Sequence, residues 1–259
     1  MAGLDRIWRG AIAVIAALLI GSAAIAQVLV EAPAQAGKSI ERKLLVGSFE
    51  NIVVIGDINV TVQTGKSPSA SASGDKRVLE SLKLERVGTT LRVRLQGIIN
   101  NYKGVPITAP LNVRLTTQDI KDITLSGNGT LTVSEVRQQD LARVLIAGNG
   151  SVTIGRLVAD QFSANIDGNG KITLLGGVVR DARMTIDGAG AFDGMKAQMR
   201  KLRLEHIGNG VSTATVEEGT DIFNRGLGNI TIGGKGTCFI KEAGGAAISC
   251  AKIDTGGKK

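Results

Sequence analysis

From Ile123 to Ile232 the chain alternates apolar and polar residues, and the alternation is broken at near-regular intervals by a Gly-x-Gly tripeptide. Before each break the apolar pairs can be aligned: Ile123 and Leu125, Val144 and Ile146, Ala164 and Ile166, Met184 and Ile186, Leu204 and His206. After the breaks, Leu131 and Val133 match Val152 and Ile154, Ile172 and Leu174, and Ile230 and Ile232. A period of two is that of a strand with one buried face. The breaks are Gly127-Asn128-Gly129, Gly148-Asn149-Gly150, Gly168-Asn169-Gly170, Gly188-Ala189-Gly190, Gly208-Asn209-Gly210 and Gly226-Leu227-Gly228, with first glycines 21, 20, 20, 20 and 18 residues apart. Strands returning past one place every twenty residues predict an all-β solenoid, a right-handed parallel β-helix. Its aliphatics would stack like on like at the spacing of strands in a sheet, about 4.8 Å.

Upstream, Phe49, Ile52 and Val54, then Ile58, Val60 and Val62, alternate on either side of Gly56-Asp57 and predict two strands. Asp75 through Glu85 places Val78, Leu79 and Leu82 at helical spacing behind a capping Asp, which predicts one short helix. Leu91, Val93 and Leu95 alternate with Arg92 and Arg94 as a strand with one wet face, and Asn100–Gly104 reads as a loop. Pro106 and Pro110 mark a further break before Leu111, Val113 and Leu115. These elements are expected to cover one end of the solenoid.

At each corner the glycines (Gly127, Gly129, Gly148, Gly150, Gly168, Gly170, Gly188, Gly190, Gly208 and Gly210) are read as structural, serving a sharp turn or a close approach of neighbouring coils. Asn128, Asn149, Asn169 and Asn209 would stack as an amide ladder, interrupted at Ala189 and Leu227.

The run Phe49-Glu50-Asn51-Ile52-Val53-Val54-Ile55-Gly56, the following Val60-Thr61-Val62-Gln63-Thr64-Gly65, the Leu91-Arg92-Val93 strand and the Ser126-Gly127-Asn128-Gly129 repeats together resemble the head GIN domain family, DUF2807, whose label is that of an autotransporter adhesin domain. The similarity runs from about Leu44 to Cys250. The family's Gly-Ile-Asn turn appears in this chain mostly as Gly-Asn-Gly, with Gly56-Asp57-Ile58-Asn59 as the nearest other variant. The resemblance implies an exported bacterial β-solenoid with no catalytic residues to carry over.

The N-terminus agrees with export. Arg6 and Arg9 precede an apolar run from Ala11 to Ala26, and Ala24-Ile25-Ala26 offers small residues for cleavage before Gln27, with Ala34-Gln35-Ala36 as a second choice. Residues 1–26 are read as a signal peptide, 27–43 as a flexible lead, 44–254 as one solenoid domain and 255–259 as a tail. An uncleaved membrane anchor is the alternative, because Val28, Leu29 and Val30 lengthen the run. The periplasm or the cell surface of a bacterium is the expected location.

The formal charge is +8, and losing Arg6, Arg9 and Asp5 with the leader lowers it by one, to +7. A basic exported protein favours anionic envelope glycans or lipopolysaccharide over nucleic acid. The basic residues, among them Arg92, Arg94, Arg137, Arg143, Arg180, Arg183, Arg200, Lys201 and Arg203, form no run in sequence. Cys238 and Cys250 should pair in an oxidising compartment, as a hairpin cap around Gly244-Gly245 worth about 3 kcal/mol, the alternative being two buried thiols.

Two acids could carry chemistry. Asp167 and Asp187 precede successive glycine corners in one column, so their carboxylates would lie about 5 Å apart on adjacent rungs, an arrangement suited to a polysaccharide lyase or glycosidase. No partner acid recurs at Ser126, Ala147 or Ile207, Asp193 lies in an outward column and His206 in an inward one. An Asp at a corner taking backbone N–H bonds is the plainer reading. Asp167-Gly168-Asn169-Gly170-Lys171 puts a lysine where a calcium ligand is required, and Gly65-Lys66-Ser67 lacks the first glycine of a phosphate loop, so neither metal nor cofactor is expected. Thr132, Thr153, Thr173, Thr213 and Thr231 form an outward ladder, joined by Thr130 and Ser151 and roughened by Lys171, Asp193 and Val211, whose regularity also suits ice binding or self-association. After residue 26 there is no tryptophan and one tyrosine, Tyr102, which weakens readings based on sugar stacking. The expected function is a non-enzymatic envelope protein presenting a rigid surface for adhesion, binding or scaffolding, with the carbohydrate-active enzyme as the alternative.

Overall fold

The computed structural model describes residues 39–96 and 110–254. The expected leader at 1–26, the lead from 27 to 38, the loop at Asn100–Gly104 with Pro106, and the tail at 255–259 lie outside them.

Alternating apolar residues make strands here because each coil supplies the ladder for the next. The repeats comprise β8 (Asp122–Ser126), β9 (Thr130–Gly148), β10 (Ser151–Gly168), β11 (Lys171–Leu174), β12 (Gly177–Asp187), β13 (Ala191–Ile207), β14 (Val211–Asn224), β15 (Asn229–Glu242) and β16 (Ile248–Asp254). Strands of successive coils pair in parallel, forming a β-solenoid of about six turns with coils of about 20 residues. Each coil has three faces. In β10 these are Ser151–Ile154, Arg156–Ala159 and Gln161–Gly168, which pair with the preceding coil in β9 and, in turn, with β11 and β12. Leu125, Ile146, Ile166 and Ile186 stack in register and are fully buried, and His206 continues the column.

The two glycines of a corner have different reasons to be there. Gly168 has φ +113°, a conformation that costs most side chains strain. Gly170 is buried, and a Cβ on it would lie 2.5 Å from Ile146 Cγ2 and 3.0 Å from the Gly150 carbonyl oxygen. The first glycine turns the chain, and both let coils touch, since a Cβ on Gly168 would lie 2.7 Å from the Gly148 carbonyl oxygen.

Register shifts account for the uneven period. Gln138 and Leu141 of β9 pair with Ala159 and Gln161 of β10, so β9 carries one extra residue at that corner, hence a spacing of 21. Between β13 and β14, Gly194 and Gln198 pair with Ala214 and Thr215, a shortening by three, while Met199 and Lys201 pair with Val216 and Gly219, a lengthening by one. Together these give the spacing of 18.

At the N-terminal end the spatial order departs from the chain order. β2 (Asn51–Ile55) and β3 (Asn59–Gln63) pair with β8 and β9, and on their other side with the later β6 (Thr90–Leu95) and β7 (Asn112–Thr116). Three antiparallel strands finish the stack: β5 (Leu82–Val87) on β6, β4 (Ser69–Asp75) on β7, and β1 (Ser39–Leu44) on β4. β1 occupies the end of the stretch read as a flexible lead, so ordered structure begins before Leu44. The helix α1 is shorter than expected, spanning Lys76–Ser81, with Asp75 Oδ1 accepting from the Arg77 N–H at 3.0 Å as its cap. Leu82–Glu85 instead belongs to β5, where Leu82 and Leu84 pack on the core and Glu85 accepts from Arg94 across the strand pair at 2.8 Å. Pairing with β6 outweighs the helical spacing of Leu82.

The C-terminal end also departs from expectation. Cys238 and Cys250 are joined, with Cα atoms 6.4 Å apart, but β16 runs parallel to β15, so the segment is a final partial coil and no hairpin. Cys250 aligns with Ile232 and Cys238 with Thr220, placing Cys238 on the third face of the β15 coil and Cys250 on the first face of the coil that follows. The disulfide therefore ties one face to another through the interior.

Candidate functional site

Asp167 and Asp187 are register partners on adjacent rungs, both exposed, immediately before their glycine corners. Ala147 and Ile207 flank them in the column. Among the described residues neither carboxylate accepts a hydrogen bond or joins an ion pair, so the expected backbone N–H donors are absent. Asp57 plays that part instead: its Oδ1 accepts from Asn128 N at 3.1 Å and from Asn128 Nδ2 at 3.0 Å. Above it the amide ladder continues, Asn149 donating to Asn128 at 2.9 Å and Asn169 to Asn149 at 3.0 Å. Asp57 is the foot of the ladder, a role its place outside the Gly-x-Gly series had concealed.

His206 and Asp193 do not join the acidic pair. His206 is fully buried, and burial pushes its pKa down. Both ring nitrogens lack partners among the described residues. Asp193 sits on the first face, where its Oδ1 accepts from Thr213 Oγ1 at 3.3 Å. No group of three or more His, Cys, Asp or Glu residues among the described residues is arranged to hold a metal ion.

The threonine column runs in register along the first face, interrupted at Asp193. Thr61, Thr132, Thr153, Thr173, Asp193, Thr213, Thr231 and Ser249 succeed one another in register along the first face. Beside it Thr130 donates to Asn59 at 2.7 Å. This face offers hydroxyls with little charge.

Charge collects on the third face. Asp122, Arg143, Ser163, Arg183, Arg203 and Asp221 form one outward column, and Arg180 and Arg200 occupy equivalent corners of adjacent coils. The arginines that show no run in sequence thus form columns in space. Their spacing was the available signal: 183 and 203, like 180 and 200, differ by one repeat. Arg143 pairs with Asp122 at 3.2 Å, Arg183 with Glu205 at 3.9 Å, and the Arg203 guanidinium lies 4.3 Å from the Phe223 ring centroid. The side chains of Arg143 and Arg183 remain more than half exposed. Exposed pairs of this kind hold their partners weakly.

Stacked parallel coils with glycine corners, a polar ladder on one face and arginine columns on another define a parallel β-solenoid with polar outer faces. Residues 48–236 match the family described as "Putative auto-transporter adhesin, head GIN domain". The chain belongs to that family. A comparison with curated proteins finds no match. Among solved structures, a "putative adhesin" from Bacteroides fragilis NCTC 9343 superposes with a TM-score of 0.66 at 17% identity, covering 85% of this chain and 97% of that one. A "Putative lipid binding protein" from Parabacteroides distasonis ATCC 8503 gives 0.62 at 19% identity, covering 82% and 96%. A "putative adhesin" from the same organism gives 0.62 at 16%, covering 83% and 98%. At these identities the likeness is one of fold.

Proposed function

We propose that the protein is exported to the periplasm or surface of a bacterium and acts there without catalysis, its solenoid presenting a rigid surface for adhesion, binding or scaffolding. Anionic envelope glycans or lipopolysaccharide are the proposed partners. The observation that carries this reading is the alignment of Arg143, Arg183 and Arg203 in one exposed column. Arg183 and Arg203 one rung apart, and Arg143 two rungs from Arg183, present bidentate donors to carboxylates or phosphates along an extended polymer. The Cys238–Cys250 disulfide and the family's adhesin description support an extracytoplasmic setting.

The test is retention of the protein on acidic envelope glycans and on lipopolysaccharide at low and moderate salt, with product analysis of each mixture. Retention should weaken as salt rises, and Arg183→Gln with Arg203→Gln should lower affinity at least fivefold while the fold persists. Release of cleaved glycan that is lost in Asp167→Asn would overturn the reading in favour of an enzyme. Retention that ignores both salt and the arginines would remove the proposed surface.

A further inference from the structure

The corner between the second and third faces contains a groove of about 540 Å³. Its two ends are built by the one-residue insertions that disturb the repeat. Gln139, from the lengthened corner of β9, and Glu217, from the lengthened corner of β14, both line it. Between them Asp160, Arg180 and Arg200 turn equivalent corners with a single residue each. From the coil of Arg137 to that of Glu217 there are four rung spacings, or about 19 Å.

The floor breaks the alternation of buried apolar and exposed polar positions. Arg137, Val158, Val178 and Gln198 succeed one another in an outward column of the second face, and the two central members are valines. Val178 is 57% exposed. Arg180 stands beside it, shared between Asp160 at 3.2 Å and Asp181 at 3.1 Å, and Arg200 lies 3.6 Å from Asp181 and 3.8 Å from Glu218. These are loose surface pairs, free to exchange a carboxylate for a ligand anion. An elongated trough with two valines at the middle of its floor and guanidinium groups beside Asp160 and Glu217 along its wall fits a molecule with an aliphatic stretch and an anionic end. Among the described residues the lining has no aromatic ring on which a sugar could stack.

We propose that this groove binds a fatty acid, the acyl chain lying along Val158 and Val178 and the carboxylate pairing with Arg180 or Arg200. The ligand is held without covalent chemistry.

The experiment uses the full chain and a series of saturated fatty acids, with a diazirine-bearing sixteen-carbon fatty acid as cross-linking probe. Labelled peptides should fall between Arg137 and Glu217. Each methylene added within the groove's length should tighten Kd about threefold. Val178→Asp should weaken binding at least tenfold, with Val178→Asn as a milder variant, and an unchanged far-ultraviolet dichroism spectrum in both verifies the fold. Arg180→Gln with Arg200→Gln should abolish the preference for the acid over the matching alcohol. Labelling confined to Ala11–Val30, a Kd independent of chain length, or full affinity in both Val178 variants would overturn the proposal. Glycan retention is measured separately, so either site can fail while the other stands.

Discussion

The interior of the solenoid changes character at a single residue. Leu125, Ile146, Ile166 and Ile186 make a dry column, and His206 then brings two unpartnered ring nitrogens into it, with Asn224 above as its register partner. Ser212 and Thr220 are buried nearby along the chain, each with an unpartnered hydroxyl among the described residues. Burial disfavours the imidazolium, so the native pKa of His206 lies below its ordinary value of 6.5. The unfolded chain therefore takes up a proton more readily than the folded one. Stability from this group is complete above about pH 6.5 and declines as the pH falls towards the depressed native pKa. Thermal melts between pH 7.5 and 5.5 should show a falling Tm, and His206→Leu should remove that share of the slope; an equal slope in both proteins would count against the assignment. The inward position of His206 was legible from alternation alone. Its isolation from Asp193 was legible too, because the two occupy different columns. The arginine columns leave no run in the sequence, because residues one repeat apart, such as Arg183 and Arg203, become neighbours only once the coils stack.

At the scale of elements, the last coil depends on its cross-link. β16 has one neighbour, β15, and its residues are mostly exposed. The loop closed by Cys238 and Cys250 is short, and its cross-link contributes about 3 kcal/mol on the chain-entropy account. Mild reduction should open β15 and β16 first, so that limited proteolysis cuts near Gly244-Gly245 while the coils from β9 to β13 stay resistant. Cleavage starting elsewhere, or no change on reduction, would contradict this. The disulfide followed from the cysteines and their expected compartment, but the parallel direction of β16 did not. A glycine pair between two short apolar runs suits a hairpin as well as a solenoid corner, and only the ladder beneath decides. The same ambiguity shortened α1, since a leucine at helical spacing serves equally as the first residue of a strand once β6 lies beside it.

For the solenoid as a whole, the repeats from β8 onward were plain because the Gly-x-Gly corners mark them. The N-terminal coils carry no such mark, and their order in the stack could not be read from the chain. β2 is held between β6 and β8, whose pairing partners for Asn51 are Thr90 and Asp122. A fragment ending at Thr116 leaves β2 and β3 without one of their two ladders. Such a fragment should lack a cooperative melt, whereas one ending at Glu242 should keep it; a stable sheet in the shorter piece would disprove the dependence.

That interleaving also governs timing. A chain emerging N-terminus first exposes β2 long before the strand that locks it, and pairings this distant in sequence form slowly. The early segments must wait as an open thread until about seventy more residues have followed, as the separation of Asn51 from Asp122 requires. A polypeptide so arranged resists premature closure of its first coil by its connectivity, and β2 gains its second ladder only once Asp122 has followed.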